Sequence, residues 1–395
     1  MTSTVASGAA APLEFQNATK RYSDGKSSRH PGARSAAVES LSLTVPAGEI
    51  CVLVGPSGCG KTTAMRLVNR MIDLSSGEIL IDGASVSKRD PADLRREIGY
   101  VIQQIGLFPH LSINHNIGVV PRLLGWDKNR VEKRSAELLE LVGLPVEMGS
   151  RFPSQLSGGQ RQRVGVARAL AADPPLMLMD EPFGAIDPIN REHLQDEFLR
   201  LQSSIRKTVV FVTHDIDEAI KMGDRIAILR EGGELVQYDT PAEILAHPAD
   251  DFVARFVGAD RGLKRLALTR LGDIELIDAP TVRMGDDIGS KRHGLVEGAS
   301  VIVVDDDGRP VGEIPAERLG NGRVSAADSR HINQTVSTRV TMREALSLMM
   351  TDSLRPLVVV DGDGKVVGYV SIELINRSLQ EQAASVRATA GAESP

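Results

Sequence analysis

The short apolar run CVLV (51–54) leads into GPSGCGKTT (55–63), which hands over to the helix-like TTAMRLVNRM (62–71). This arrangement constrains the fold more than any other stretch. It fits the pattern G-x-x-x-x-G-K-[ST] and places it between a strand and a helix, where its chemistry requires it. Glycines let successive backbone N–H groups turn inward and cradle phosphate oxygens, and the helix N-terminus adds its dipole. The loop residues Gly55, Pro56, Ser57, Gly58, Cys59, Gly60, Lys61, Thr62 and Thr63 are therefore the candidate phosphate-binding set. Lys61 is placed to reach the β- and γ-phosphates and the Thr62 hydroxyl to ligate Mg²⁺. A plain Gly-rich turn is the alternative for these residues taken alone.

Three more short apolar runs, LMLM (176–179), TVVFV (208–212) and IAIL (226–229), have turn or polar boundaries. Runs without alternation are what parallel strands look like when both faces are covered. Helix-period stretches separate them, which predicts βαβ units and a doubly wound α/β sheet.

Two further motifs carry chemistry. LMLMDEP (176–182) is an apolar strand ending in two carboxylates: Asp180 suits the water shell of a metal, and Glu181 suits orienting and deprotonating an attacking water. Apolar strands often end in acidic turns, so this motif gains weight only beside the phosphate loop. LSGGQ (156–160) precedes the amphipathic RQRVGVARALAA. Ser157 with the Gly158 and Gly159 amides predicts an anion-binding helix start between Leu156 and Gln160. Ser157 and Gln160 also read as a capping box, which is compatible with that role. His214 closes the strand TVVFVT; a lone histidine at a strand end is more often structural.

Net charge is −6, so the chain lacks the basic surplus of a nucleic-acid binder. Hydrophobic residues at 42% and charged residues at 25% argue for globular domains, and 395 residues exceed one ordinary core. Two cysteines cannot form a disulfide framework, which points to a reducing compartment. The opening MTSTVASGAAAP lacks the basic and apolar segments of a signal peptide, and no run approaches the roughly 18 apolar residues that span a bilayer.

The expected organisation is a weakly polar tail over 1–12, a nucleotide-binding domain over 13–260 with a helical subdomain at about 104–165, and a linker over 261–280. Residues 23–37 read as a surface loop. Beyond the linker, ASVIVVDDDGRPVG (299–312) matches RPLVVVDGDGKVVG (355–368) without a gap at an offset of 56. Each copy reads strand, Asp/Gly turn, strand. The tandem module is placed at 281–380, with a degenerate copy at 281–320 and a fuller one at 336–380, and a tail at 381–395. Thr341 and Glu344 predict a capping box for a helix with Met342, Leu346, Met349 and Met350 at helical spacing.

The ordered set GPSGCGKT, Gln103, LSGGQ, LMLMDEP and His214 resembles the nucleotide-binding subunit of ATP-binding-cassette (ABC) transporters, over roughly Leu13 to Gly258. The resemblance implies a P-loop NTPase fold of the ABC type, and ATP with Mg²⁺ as the nucleotide and cofactor. It further implies a head-to-tail homodimer in which each ATP lies between one copy's phosphate loop and the other's LSGGQ. By the same resemblance Tyr22 stacks on adenine, Gln103 (or its neighbour Gln104) touches Mg²⁺ or water, and Ile186 and Asp187 join the paired subunits. His214 contacts the γ-phosphate. Ile186 departs from the leucine usual there.

GLFPHLSINHNI (106–117) resembles the segment that grips the coupling helices of integral membrane permease subunits; His110 and His115 in it read as solvated helix-edge residues rather than metal ligands. YVIQQIGLFPHLS, RALAADPPLMLMDEPFGAIDPINREHLQDEF and FVTHDIDEAI are most similar to glycine betaine/carnitine/choline importers. A C-terminal repeat of the cystathionine-β-synthase (CBS) type, a small α+β module, fits that group too. The implied setting is the cytoplasmic face of the inner membrane, with a permease and, indirectly, a periplasmic or lipoprotein solute-binding protein, and no nucleic acid. Alternatives are an importer of spermidine, methionine or another small solute, or a soluble ABC ATPase. The last usually carries a coiled-coil insertion or two cassettes, and this chain has one cassette without heptads. GYVSIEL (368–374) keeps Ser371 but has Leu374 where that family's ribose-binding acid stands, and GEIPAER (312–318) has Pro315 and Arg318. The repeat is read either as a ligand-free dimerising module or as a sensor of ionic strength or of a nucleotide.

Overall fold

The computed structural model describes residues 8–22, 36–102, 106–184, 186–286, 300–315, 323–324, 329–332, 334–351 and 354–380. It divides into two units, one of Met1–Ile244 with Pro248–Phe256, the other of Leu245–His247 with Val257–Pro395.

In the first unit, strands β1 (Leu13–Arg21), β2 (Ala36–Val45) and β3 (Ile50–Val54) precede helix α1 (Lys61–Val68). Then come β4 (Ser76–Ile81), β5 (Ala84–Ser85), α2 (Pro91–Glu97) and β6 (Ile98–Val101). Four helices follow: α3 (Ile113–Ile117), α4 (Val119–Leu123), α5 (Lys128–Leu141) and α6 (Gly158–Leu170). The chain then returns to the sheet through β7 (Leu176–Asp180), α7 (Pro188–Ile205), β8 (Thr208–Thr213), α8 (Ile216–Met222), β9 (Arg225–Arg230) and β10 (Glu234–Asp239). Helices α9 (Pro241–Ala246) and α10 (Asp251–Val257) follow, with Leu245, Ala246 and Val257 already counted in the second unit.

The central sheet has the order β10-β9-β3-β8-β7-β6. All its neighbours are parallel except the β10 edge. Every residue of β3 and of β8 is buried, which is why these runs show no polar alternation. A second, antiparallel sheet has the order β2-β1-β4-β5. Ala64, Met65, Leu67 and Val68 of α1 share one core with both sheets. Each such buried Leu, Met or Val contributes about 1.5–3 kcal/mol over leaving it in water, so the helix that follows the phosphate loop is firmly seated.

Residues 8–12, expected within a tail, are held: Ala11 is 1% exposed, its N–H donates to Pro175 O at 3.2 Å, and buried Lys207 donates to Gly8 O at 2.7 Å. Of the expected 23–37 loop, Ala36 and Ala37 belong to β2, and 23–35 lie outside the described residues.

In the second unit, the expected linker at 261–280 carries structure of its own. Helix α11 (Arg261–Leu266) sends Leu266 into a core with Leu271 and Leu357. Strands β11 (Thr281–Val282), β12 (Ser300–Val304) and β13 (Pro310–Pro315) form one sheet. Strand β14 (Thr335–Ser337), helix α12 (Met342–Thr351), β15 (Leu357–Val360) and β16 (Val366–Val370) form the other copy. Both sheets have the same plan, a parallel pair followed by an antiparallel hairpin.

The repeat holds down to single hydrogen bonds. Asp305 Oδ1 accepts from the N–H groups of Asp307 and Arg309, and Asp361 Oδ1 accepts from those of Asp363 and Lys365. A register shift falls between Val303 and Val304 in one copy and between Val359 and Val360 in the other. The two turns meet where Val366 N–H donates to Gly308 O at 3.2 Å and Arg309 Nε to Asp363 O at 3.1 Å.

Thr341 and Glu344 make the reciprocal capping box at the start of α12. Its buried stripe is Met342, Ala345 and Met349, with Leu346 partly buried. Met350, expected on that stripe, is 69% exposed, because one residue past Met349 the helix has turned about 100° away from the core. Leu374 is buried in the core of this copy, and the Ser371 hydroxyl accepts from Leu374 N–H at 3.3 Å as a helix cap. In the first copy Pro315 ends β13, while 316–318, including Arg318, lie outside the described residues.

Candidate functional site

The site lies at the carboxyl ends of β3, β7 and β8, the edge where doubly wound sheets bind ligands. β3 ends at Val54 and the chain turns through the Gly-rich loop into α1. Gly60 caps that helix with φ +101, and a Cβ there would stand 2.1 Å from Ala37 O, so only glycine fits. Cys59 is fully buried beneath the loop. Lys61 is 6% exposed and its ammonium donates to Gly55 O at 2.7 Å and Pro56 O at 2.9 Å. A buried ammonium satisfied by its own loop's carbonyls is a preformed charge at the loop's centre, ready to exchange those partners for an anion.

The Thr62 hydroxyl donates to Asp180 Oδ1 at 3.1 Å, joining the loop to the end of β7. Burial pushes the Asp180 carboxyl above its ordinary range and the Glu181 charge adds to that, while the Thr62 hydrogen bond, Arg66 and Lys61 pull it down. Tyr100 of β6 faces the same group: burial, then the Asp180 charge, raise its phenol. A hydroxyl beside a partly desolvated carboxylate is a hard-oxygen donor pair. Mg²⁺ is typically held by one or two carboxylates plus substrate phosphates, so these residues fit that ion.

Glu181 follows with φ +43, a left-handed conformation for a non-glycine residue. Its N–H donates to Val212 O at 3.0 Å, which pins the strained residue to β8. The Glu181 carboxylate lies 3.1 Å from His214 Nδ1 at the end of that strand. Phosphate loop, Asp180, Glu181 and His214 thus converge within one chain. Tyr22 sits at the end of β1, half exposed, with Lys20 Nζ 5.3 Å from its ring centroid. Gln103 and Gln104 lie outside the described residues.

LSGGQ forms a separate place. Ser157 caps α6, accepting from Gln160 N–H at 3.3 Å while Gln160 Oε1 accepts from Ser157 N–H at 2.9 Å. A cavity of about 580 Å³ opens there, lined by Ser157, Gly158, Gly159, Gln160, Ile186 and Asp187 among others. Leu156 is buried below it. Asp187 caps α7, accepting from Asn190 N–H at 3.1 Å and from Asn190 Nδ2 at 2.8 Å, which hold its carboxyl below the usual range. Among the described residues, no member of the phosphate loop lines this cavity.

Residues the sequence did not single out stand beside the site. Glu218 of α8 accepts from Gln195 Nε2 at 2.9 Å. Burial raises its carboxyl, while hydrogen bonds from Thr213 and Gln195 lower it. The available signal was its place in DIDEAI, directly after His214. His115 bonds Ser112 through Nδ1 at 2.8 Å, as a helix-edge residue would.

A family model described as ABC transporter matches residues 38–184, and one described as CBS domain matches residues 331–381. The chain is 46% identical to the osmoprotectant import ATP-binding protein OsmV of Salmonella typhimurium, over 92% of this chain and 95% of that one. It is 43% identical to the glycine betaine/carnitine/choline transport ATP-binding protein OpuCA of Bacillus subtilis, over 91% of this chain and 94% of that one. Among solved structures it is similar to the dimeric cassette MJ0796, at TM-score 0.51 and 34% identity, over 58% of this chain and 98% of that one.

Proposed function

This chain belongs to the ABC transporter family as one of its ATP-binding proteins, and from that premise we propose that two copies close head to tail around two Mg-ATP molecules to drive osmoprotectant uptake. One observation carries the dimer: the helix-start amides of LSGGQ border a cavity that no residue of the same chain's phosphate loop lines, among those described. A second copy's nucleotide is the anion that suits them.

In this reading the loop 55–63 wraps the phosphates and Lys61 neutralises charge on the β- and γ-phosphates. Thr62 and Asp180, with Gln103, hold Mg²⁺, which when bound offsets phosphate charge. Glu181 accepts the proton of the attacking water as its oxygen bonds to the γ-phosphorus and the bond to the β,γ-bridging oxygen breaks. His214 holds a γ-phosphate oxygen and, through its contact with Glu181, keeps that base aimed. Ser157, Gly158 and Gly159 of the second copy donate to the same phosphoryl group. Tyr22 stacks on the adenine, and Ile186 and Asp187 meet the other copy.

The solute class rests on the relatives, whose names state osmoprotectant and glycine betaine/carnitine/choline transport. The chain then works at the cytoplasmic face of the membrane, docked on permease subunits supplied by a solute-binding protein. None of its described helices is long and apolar enough to cross a bilayer. The CBS repeat sets turnover according to ionic strength or a nucleotide. Reconstitution with its permease in proteoliposomes tests this: uptake of labelled glycine betaine, choline or carnitine should require ATP and Mg²⁺. Uptake of spermidine or methionine instead would overturn the solute assignment, and absence of ATP hydrolysis would overturn the motor. Full osmotic control in a chain ending at Gly258 would remove the role given to the repeat.

A further inference from the structure

Helices α7 and α8 are joined behind the hydrolysis site. On α7, Asp187, Arg191 and Gln195 follow at intervals of four and so share one face. Arg191 Nη2 donates back to Ile186 O at 2.9 Å, bracing the loop that Asp187 terminates. On the other side, Asp215 caps α8, which carries Glu218, and His214 stands just before that cap, after the end of β8. Gln195, 6% exposed, donates to Glu218 Oε1 at 2.9 Å. Thr213, 1% exposed, carries a hydroxyl that accepts from Asp215 N–H at 3.0 Å, at the start of α8. The Arg191 charge also lowers the Glu218 carboxyl, less than its burial raises it. One turn further, Lys221 of α8 pairs with Asp196 of α7 at 2.8 Å and reaches Glu192 at 4.0 Å.

We propose that Glu218 is a positioning residue for ATP hydrolysis: through Gln195 it ties α7, and with it the loop of Ile186 and Asp187 that Arg191 braces, to α8 beside the strand end that carries His214. A half-buried carboxylate with several protein partners is costly to desolvate and poorly replaceable, so its value lies in fixing geometry rather than in net stability. Contact between Asp187 and a second copy then displaces α7 and α8 as one body, and His214 moves with them against Glu181. Each copy's hydrolysis geometry so depends on whether its partner is docked. This rests on the dimeric reading above.

The test compares the full chain, assembled with its permease, as wild type, Glu181→Gln, Glu218→Gln and the exchanged pair Gln195→Glu/Glu218→Gln. Each is measured for affinity for a fluorescent ATP analogue, kcat, Hill coefficient in ATP and thermal midpoint. Glu218→Gln should lower kcat by about 10- to 100-fold, the scale of a small misplacement of catalytic groups. Nucleotide affinity should stay within about twofold, the thermal midpoint should hold, and the Hill coefficient should fall toward one. The exchanged pair, which restores a Gln–Glu hydrogen bond, should recover most of kcat. Unchanged kcat and Hill coefficient, or a kcat loss that merely follows affinity or thermal midpoint, would overturn the proposal. Should Glu218→Gln not fold, Gln195→Met removes one bond and keeps the charge, and must show the same split. A wild type without ATPase activity sinks the motor and this inference together; an active wild type silenced by Glu181→Gln, but matched by the Glu218 variants, sinks the inference alone.

Discussion

His214 Nδ1 stands 3.1 Å from Glu181 Oε1, although 33 residues separate them in the chain. The approach depends on Glu181 taking a left-handed φ of +43, which costs on the order of 1–3 kcal/mol and persists only where its surroundings enforce it. Here the Val212 carbonyl does so through the Glu181 N–H. Glu181→Gln keeps size and hydrogen bonding and removes only the base. ATP should still bind, measured by equilibrium binding, while phosphate release should fall roughly 10²–10⁴-fold. Hydrolysis at the wild-type rate would assign the base to another group.

Lys61 tests the phosphate loop itself. Its ammonium now satisfies the Gly55 and Pro56 carbonyls, so Lys61→Ala removes both an anion partner and two braces of the loop. Nucleotide affinity should drop by about tenfold or more, since charge-assisted hydrogen bonds are each worth about 1.5–3 kcal/mol. Calorimetric titration with ATP gives the number directly, and near-normal affinity would remove Lys61 from the phosphates.

Ser157 has two roles that one residue exchange separates. As N-cap of α6 it is worth about 1 kcal/mol, and Asp caps as well as Ser. Ser157→Asp should therefore leave the thermal midpoint near wild type. A carboxylate aimed at a phosphoryl group repels it, so ATPase activity in the assembled protein should fall by about two orders of magnitude, as when an oxyanion donor is lost. Retained activity would mean that Ser157 only caps its helix.

What could be read from the chain was whatever a local pattern determines. The unalternating runs of β3 and β8 announced burial on both faces, and Ser157 with Gln160 and Thr341 with Glu344 announced two helix starts. The 56-residue offset carried even the Asp305 and Asp361 turn bonds. Contacts between distant segments left no such trace. Nothing near Gln195 names Glu218 as its partner, and nothing in the weakly polar start shows that Ala11 is buried with its N–H on the Pro175 carbonyl. Within 261–280, Leu266 and Leu271 pack with partners such as Leu357 that lie far along the chain, and no local pattern shows it.

Cys51 of β3 supplies a test of the sheet that is independent of nucleotide chemistry. Burial pushes its thiol from 9.0 up to about 12, partly countered by a hydrogen bond with Tyr238. Because the folded value exceeds the unfolded one, the folded state holds more protons between them, and stability falls as pH rises through that window. Below pH 9 the contribution is complete; toward pH 12 it is lost. Cys51→Ala should cost about 1 kcal/mol or somewhat more at neutral pH, from the small cavity it leaves. It should also flatten the alkaline limb of a stability-against-pH curve measured by urea denaturation. Tyr238, also raised chiefly by burial, keeps part of that limb in place. An unchanged slope would show that Cys51 is ionised or solvent-reached in the folded protein, contrary to its complete burial in the central sheet.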